Sequence, residues 1–181
     1  VDNLLSLTRL ESGPPKPAAV VRVPALLERL CKEANVAEAN EHTPVRLKLD
    51  SQVSLLGNET DLHSAFANLI SNAIKYSRPS DTVTVRWSQE ESGAARLDVE
   101  DTGPGIPKEH IPRLTERFYR VEIEGCRNKS GTGLGLAIVK HVMSRHDAEL
   151  LIASELGRGS RFTCLFPSSR VVPGADRGDP E

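Results

Sequence analysis

Aromatic residues and cysteines are scarce in this 181-residue chain, and long apolar runs are missing. With only 4% aromatic residues, the hydrophobic core has to be built from Leu, Val, Ile and Ala. The three cysteines, Cys31, Cys126 and Cys164, are odd in number and form no CxxC pair, which argues against a disulfide framework and a zinc site. No apolar run approaches the ~20 residues that cross a bilayer, and no signal peptide begins the chain. We therefore expect a soluble domain from a reducing, intracellular environment.

An excess of one charge is also missing. Lys and Arg number 23 against 25 Asp and Glu, so the net charge is −2. Because no overall field attracts polyanions, we expect no nucleic-acid partner. The five histidines show no HExxH motif, and no GxSxG motif is present. A zinc protease and a serine hydrolase therefore have no support in the sequence.

Apolar periodicity predicts alternating helices and strands. Helical spacing predicts helices at residues 26–40, 60–76 and 133–146. Alternation predicts strands at residues 45–49, 82–87, 95–100, 149–154 and 160–166, with 53–56 as a short hairpin partner of the first. Since hairpins join most of these strands, we predict an α+β fold. It is a two-layer α/β sandwich whose mixed, largely antiparallel sheet carries helices on one face.

The two ends of the chain differ from its middle. Residues 1–13 have apolar positions at helical spacing until Gly-Pro-Pro ends the pattern. A helix of about three turns is marginal alone, so we interpret it as the end of a longer helix, with a frayed terminal helix as the alternative. Residues 14–19 are then a linker and 20–167 one domain. Residues 168–181, rich in Pro, Gly and Asp, are predicted to be a disordered tail.

The helix predicted at 60–76 contains two asparagines in its middle. Asn68 and Asn72 are four residues apart and lie on one flank of the apolar stripe, which Lys75 and Tyr76 continue. Asparagine is a poor helix former, and its amide oxygen can bind a cation or a polar ligand. Lys75 could then meet a phosphate and Tyr76 a flat ring. The alternative is that both amides bond to nearby backbone.

An acidic turn rich in glycine follows the strand at 95–100. Asp101 precedes Gly103 and Gly105, so the backbone can approach a ligand while the carboxylate accepts a hydrogen bond. The exocyclic amine of adenine is a fitting donor. The alternative is an ordinary turn that begins with Asp.

A second glycine-rich segment leads into the helix at 133–146. Gly131, Gly133 and Gly135 alternate before Leu136, and a helix N-terminus of this kind offers N–H groups to phosphate. Leu136 stands where a Rossmann fingerprint needs glycine, and no Gly-Lys-Ser/Thr follows as in a P-loop. The alternative is a flexible hinge.

The segment before these glycines is polar. Residues 116–120 contain two arginines and an aromatic pair, and residues 122–129 have few apolar anchors. We interpret residues 122–129 as a lid over a ligand. Arg120, Arg127 and Lys129 could reach phosphates from it, and the alternative is that each is a solvated surface charge.

Taken together and in this order, the motifs resemble the N, G1, F and G2 boxes of the sensor histidine kinase ATP-binding domain. That family belongs to a superfamily with gyrase B, the Hsp90 chaperones and MutL, whose ATP-binding fold is of the Bergerat type. The resemblance covers about residues 20–167, and residues 109–121 and the segment through 140–141 resemble the phosphate-regulon sensor kinases. It is carried by Asn68-x-x-x-Asn72-Ala-x-Lys75-Tyr76, Asp101-x-Gly103-x-Gly105, Phe118 and Gly131-x-Gly133-x-Gly135-Leu136.

The resemblance implies roles for the matching residues. Asp101 would accept the adenine amine, and Asn72, assisted by Asn68, would hold Mg²⁺ across the phosphates of ATP. The catalytic residues would be Asn68, Asn72, Lys75 and Arg120. The nucleotide-binding residues would be these four with Tyr76, Asp101, Gly103, Gly105, Ile106, Phe118, Lys129, Ser130, Gly131, Thr132, Gly133, Leu134, Gly135 and Leu136.

The family also implies a reaction and partners. The γ-phosphoryl group of ATP would pass to a histidine on the dimerisation domain, and then to an aspartate of a response regulator. None of the five histidines here lies in a motif like His-Glu-Leu-Arg-Thr-Pro. We therefore expect a catalytic fragment without its phosphoacceptor, the cytoplasmic portion of a homodimer anchored in a bacterial inner membrane.

Two other functions stay open at this point. One is an ATP hydrolase of the gyrase or MutL type, in which a Glu in the N box activates water. Asn68 stands at that position and cannot act as the base. The other is a module that binds nucleotide without catalysis.

Overall fold

The computed structural model describes Thr8 and residues 18–37, 43–122 and 131–174. Apart from Thr8, the predicted N-terminal helix lies outside this part, as do most of the linker and residues 123–129 of the predicted lid. The strands are β1 (Ala19–Val21), β2 (Val45–Leu49), β3 (Ser54–Gly57), β4 (Val83–Gln89), β5 (Ala95–Asp101), β6 (Glu149–Glu155), β7 (Gly159–Phe166) and β8 (Val171–Val172). The helices are α1 (Val23–Ala37), α2 (Glu59–Lys75) and α3 (Gly135–Arg145), with short 3-10 helices at Lys108–Arg113 and Ser168–Arg170.

Five strands form the main sheet in the order β2-β4-β5-β7-β6. The pair β2–β4 is parallel, and the other three pairs are antiparallel. Alternate residues of β4 (Val83, Val85 and Trp87) are buried with the apolar faces of the three helices in one core. The opposite face carries charged pairs such as Arg161–Glu100, 3.1 Å apart. The predicted two-layer α+β fold is thus confirmed.

Helix α2 is the element that the sequence pattern predicts most clearly. Its N-cap Asn58 accepts a hydrogen bond from the N–H of Asp61 at 3.0 Å, as expected for a capping asparagine. The apolar stripe predicted from the sequence is buried along its whole length, namely Leu62, Ala65, Phe66, Leu69, Ile70, Ala73 and Ile74. Phe66 meets Phe166 of β7 edge to face, with ring centroids 6.3 Å apart. This packing leaves the flank with the two asparagines facing away from the core.

The predicted hairpin of residues 45–49 with 53–56 does not form. Strand β3 pairs instead with β1 and β8 in a separate three-stranded sheet. The reason lies in the segment between β2 and β3, which is bonded to β4. Asp50 donates its N–H to the Trp87 carbonyl, and the Trp87 indole donates to the Val53 carbonyl at 3.1 Å. These two bonds hold residues 50 and 53 against β4, so the chain leaves the main sheet before β3 begins.

The disordered tail predicted from residue 168 begins with regular structure. A 3-10 helix at Ser168–Arg170 is followed by β8, whose Val171 and Val172 pair with β3. Arg170 also binds Asp147 at 2.7 Å. Composition alone missed this segment because its partners are distant in sequence. Residues 175–181 lie outside the described part.

A buried histidine ties the end of α3 to the start of α2. His146 accepts the backbone N–H of Asn58 at its Nε2 (3.1 Å), so the proton is on Nδ1, which donates to the Val142 carbonyl (2.8 Å). Gly57 is required here, since a Cβ on it would lie 2.6 Å from the imidazole. The neutral ring thus satisfies a backbone donor at the head of α2.

Acidification below pH 6.5 is expected to weaken the fold at His146. Burial lowers the pKa of His146 from its ordinary value of 6.5; the hydrogen bond to the Val142 carbonyl and the charge of Asp61 oppose this shift, and Arg170 and Arg145 reinforce it. Below pH 6.5 the imidazole of His146 is therefore protonated more readily in the unfolded chain than in the folded chain. The free energy of unfolding thus decreases as the pH falls below 6.5. In urea unfolding, the unaltered chain should have a higher free energy of unfolding than His146→Gln at pH 7.5. As the pH falls, that difference should shrink by up to about 1.4 kcal/mol per pH unit. A constant difference from pH 7.5 to 5.5 would contradict this expectation.

Candidate functional site

One cavity lies between α2, the loop after β5 and the glycine-rich segment before α3. It collects most of the residues that the motifs singled out, although they are far apart in sequence. The predicted site residues that line it are Asn68, Asn72, Lys75, Tyr76, Asp101, Gly105, Ile106, Arg120, Gly131, Thr132, Gly133, Gly135 and Leu136.

Three predicted site residues do not line the cavity. Gly103 packs against Tyr76 and Asp101, and a Cβ on it would be 2.9 Å from both the Tyr76 carbonyl oxygen and Asp101 Oδ1. Leu134 is buried in the core as the residue before α3. The Phe118 side chain points outward and is 65% exposed. Lys129 and Ser130 lie outside the described residues.

Asp101 is a buried carboxylate at the end of β5. It is only 5% exposed, and its Oδ1 accepts the N–H of Gly103 at 3.0 Å. Burial raises the pKa of Asp101 to about 6, although hydrogen bonds from the backbone of Gly103 and Ser160 oppose this shift. Because burial penalises the ionised form, a ligand that donates an N–H to this carboxylate would be bound selectively.

The turn between β6 and β7 holds the loop after Asp101 in place. Gly105 has φ +75°, and a Cβ on it would lie 2.2 Å from the Glu155 carbonyl oxygen, so only glycine fits. Ile106 donates its N–H to Ser154 Oγ at 2.8 Å. The loop that borders the cavity is thus fixed by the neighbouring hairpin.

The two asparagines lie one helical turn apart on α2 and both line the cavity. Asn68 donates its amide N–H to the Ser64 carbonyl at 2.8 Å, as the backbone-bonding alternative supposed. Its Oδ1 remains directed at Gly135, where a Cβ would lie 2.9 Å away. Asn72 lines the cavity. Within the described residues, no group of three or more His, Cys, Asp or Glu could hold a metal, so a cation here would depend on amide and ligand oxygens.

Each of the three glycines that lead into α3 lies close to a different residue. A Cβ on Gly131 would lie 3.0 Å from Lys75 Nζ, and one on Gly135 would meet Asn68. Gly133 has φ +70°, and a Cβ there would be 2.7 Å from the backbone of Phe118. Gly133 is required by its conformation and by the Phe118 backbone, whereas Gly131 and Gly135 approach side-chain ends; together they bring the segment's backbone beside the polar flank of α2.

Sequence reasoning missed several residues that line the cavity: Ser71, Ala73, Pro104, Leu114, Tyr119, Val121, Ser160 and Phe162. Ser160 is there because it pairs with Asp101 across β5 and β7. That register was not available from the sequence, since it depends on which strands become neighbours. Tyr119 directly follows Phe118, and its aromatic ring was the signal that could have found it.

A family model described as "Histidine kinase-, DNA gyrase B-, and HSP90-like ATPase" matches residues 57–170. The phosphate regulon sensor protein PhoR of Pseudomonas aeruginosa is 44% identical over 185 residues, which cover 100% of this chain and 41% of PhoR. The chain therefore belongs to the family of histidine kinase-, gyrase B- and Hsp90-like ATPases, which confirms the resemblance seen in the motifs.

Two solved structures share the fold. The mycobacterial sensor histidine kinase MprB is 28% identical with a TM-score of 0.73, over 82% of this chain and 97% of that one. Full-length ShkA in complex with AMPPNP is 25% identical with a TM-score of 0.79, over 92% of this chain and 34% of ShkA. This chain thus spans about two fifths of PhoR and a third of ShkA. In the described part of this chain, no helix is long and apolar enough to cross a membrane.

Proposed function

We propose that this chain is the catalytic ATP-binding domain of a sensor histidine kinase, which transfers the γ-phosphoryl group of ATP to a histidine on a dimerisation domain. One observation carries the proposal. Asp101, the asparagine pair, Lys75 and the glycine-rich segment converge on one cavity. The ATP analogue in the ShkA complex supports ATP as the ligand.

The residues divide between the base and the phosphates. Asp101 accepts the exocyclic amine of adenine, and Tyr76, Gly105 and Ile106 shape the pocket around the base, with Gly103 packed against Tyr76 and Asp101. Since guanine carries a carbonyl where adenine has this amine, the buried carboxylate selects ATP over GTP.

At the other end of the cavity, cations and backbone amides meet the phosphates. Lys75 and Arg120 bind phosphate oxygens together with the N–H groups around Gly131, Gly133 and Gly135. Asn72, with the Asn68 oxygen, is suited to hold Mg²⁺, which neutralises phosphate charge during transfer. These side chains orient the γ-phosphoryl group towards an acceptor from outside the chain.

The arrangement favours transfer to a protein acceptor over hydrolysis. A hydrolase of the gyrase or MutL type needs a carboxylate base in this helix. Asn68 is a neutral amide that donates one N–H to the Ser64 carbonyl. Water in the cavity therefore lacks a base on this residue, and hydrolysis should be slow.

The name of the PhoR relative suggests the pathway. We propose that the whole protein signals in phosphate regulation and passes its phosphoryl group to a response regulator. In this proposal it is a homodimer anchored in a bacterial inner membrane, and the present chain is its cytoplasmic catalytic portion.

A phosphotransfer assay tests the proposed function. Incubated with γ-labelled ATP and Mg²⁺, the chain is expected not to label itself but to label an added dimerisation domain from a PhoR-type kinase. The control is that domain with its acceptor histidine replaced by alanine, which should stay unlabelled. Labelling of this chain at His63 or His141 would contradict the prediction that its phosphoacceptor lies elsewhere.

A further inference from the structure

A cluster of aromatic and charged side chains connects the 3-10 helix at Lys108–Arg113 with the cavity. We call His110, Arg113, Glu116 and Tyr119 the Tyr119 cluster. Tyr119 Oη and His110 Nδ1 are 2.6 Å apart, and the Arg113 guanidinium lies over the Tyr119 ring, 4.2 Å from its centroid. Glu116 in turn binds Arg113 at 3.1 Å. Tyr119 is thus held at both its hydroxyl and its ring.

The backbone brings Tyr119, rather than its neighbour, to the cavity. Phe118 has φ +63°, a left-handed conformation that is rare for an aromatic residue. Its N–H donates to the Gly133 carbonyl at 2.9 Å. Gly133 leaves no room for a Cβ against Phe118. This locked turn exposes the Phe118 ring, while Tyr119 lines the cavity with Asn72 and Lys75.

We infer that Tyr119 contacts the nucleotide, and that His110 and Arg113 are positioning residues that hold its ring in place. The inference rests on the proposed ATP-binding function. A tyrosine fixed before binding loses less conformational freedom when the ligand arrives, so the two holding residues raise affinity without touching the ligand. The 3-10 helix is thereby coupled to the occupancy of the cavity.

A double-mutant cycle on ATP affinity tests this coupling in the whole 181-residue chain. Measured by calorimetry with Mg²⁺, Tyr119→Phe and His110→Ala should each weaken ATP binding about threefold to tenfold, because both break the same hydrogen bond. The double variant should be no weaker than either single one. His110→Gln, whose amide can still bond the phenol, should recover part of the loss. Tyr119→Ala should weaken binding by roughly tenfold or more.

Arg113 is tested in the same way. Arg113→Ala should weaken ATP binding in the unaltered chain and have no effect in the Tyr119→Ala background. His63→Ala, a matched substitution at a half-buried position of α2 that does not line the cavity, should bind like the unaltered chain. The melting temperature of the nucleotide-free protein, recorded for each variant, should stay well above the temperature of the titration, so that a change in affinity reports binding and not unfolding.

The outcomes separate the inference from the proposed function. If the unaltered chain binds ATP and Tyr119→Ala binds equally well, the inference fails while the proposed function stands. Independent, multiplying losses from Tyr119→Phe and His110→Ala would also overturn it. Absence of ATP binding by the unaltered chain would overturn both.

Discussion

Asn72→Ala is expected to lower the Mg²⁺-dependent affinity of this chain for ATP by roughly 10-fold to 100-fold, the scale on which the loss of a side chain that supports a bound metal acts. Asn72 lines the cavity one turn after Asn68 and close to Lys75, where an amide oxygen can meet a cation bound to phosphates. Binding without metal should change little, because the base pocket around Asp101 is untouched. Calorimetric titration with ATP, with and without Mg²⁺, measures both quantities.

A matched control distinguishes the loss of an amide in the cavity from the loss of an amide elsewhere in the protein. Asn35 bonds to the backbone of Val45 through both its amide atoms, with distances of 3.0 and 2.9 Å, and does not line the cavity. Asn35→Ala should therefore leave ATP affinity unchanged even where it lowers the melting temperature. If Asn72→Ala weakened binding equally with and without Mg²⁺, the metal-binding role of Asn72 would be wrong.

Asp101→Ala is expected to abolish the preference for adenine and to cost roughly 1–3 kcal/mol in ATP binding, which corresponds to about 5-fold to 150-fold. The adenine amine would then be buried without an acceptor. Affinity for ATP should fall to the level of affinity for GTP, measured by parallel titrations. Equal binding of ATP and GTP by the unaltered chain would refute the role of Asp101.

The raised pKa of Asp101 adds a dependence on pH. Because the pKa of Asp101 is about 6 in the free protein, the carboxylate is ionised at pH 7.5 and ready to accept the amine. As the pH falls below 6, the carboxyl binds a proton that ATP binding must displace, so affinity should decline towards tenfold per pH unit. Asp101→Asn, which has no carboxyl to titrate, should lack this step. An equal decline in both proteins would assign the pH dependence to another group.

The elements and motifs were predictable because their signals are local. The apolar stripe of α2 recurs at helical spacing, and that pattern by itself predicts which side of the helix is buried and which side carries Asn68, Asn72 and Lys75. The strands of the main sheet follow from alternation in the same way. The predicted helix at 60–76 differs from Glu59–Lys75 by one residue at each end.

Pairing between distant segments was not predictable. Nothing in residues 45–56 indicates that β2 joins β4 in parallel while β3 enters another sheet, since that choice depends on Trp87, which lies more than 30 residues away. Which of the aromatic residues at positions 118 and 119 faces the cavity was not predictable either. The sequence shows two adjacent aromatic residues, and only the contact of Phe118 with Gly133 decides that Tyr119 faces the cavity.

The sequence by itself determined the chemical inventory of this protein: a carboxylate after a strand, two amides and a lysine on one helical flank, and a run of alternating glycines. Spacing along the chain suffices for these because a helix or a strand places neighbours by its own geometry. Tertiary structure alone decided that Ser160 lies beside Asp101, that His110 holds Tyr119, and that each glycine lies close to a particular residue. Such contacts join segments that are far apart in sequence. Their distance in space depends on sheet register and on packing of the core, and no local sequence pattern reports either of these.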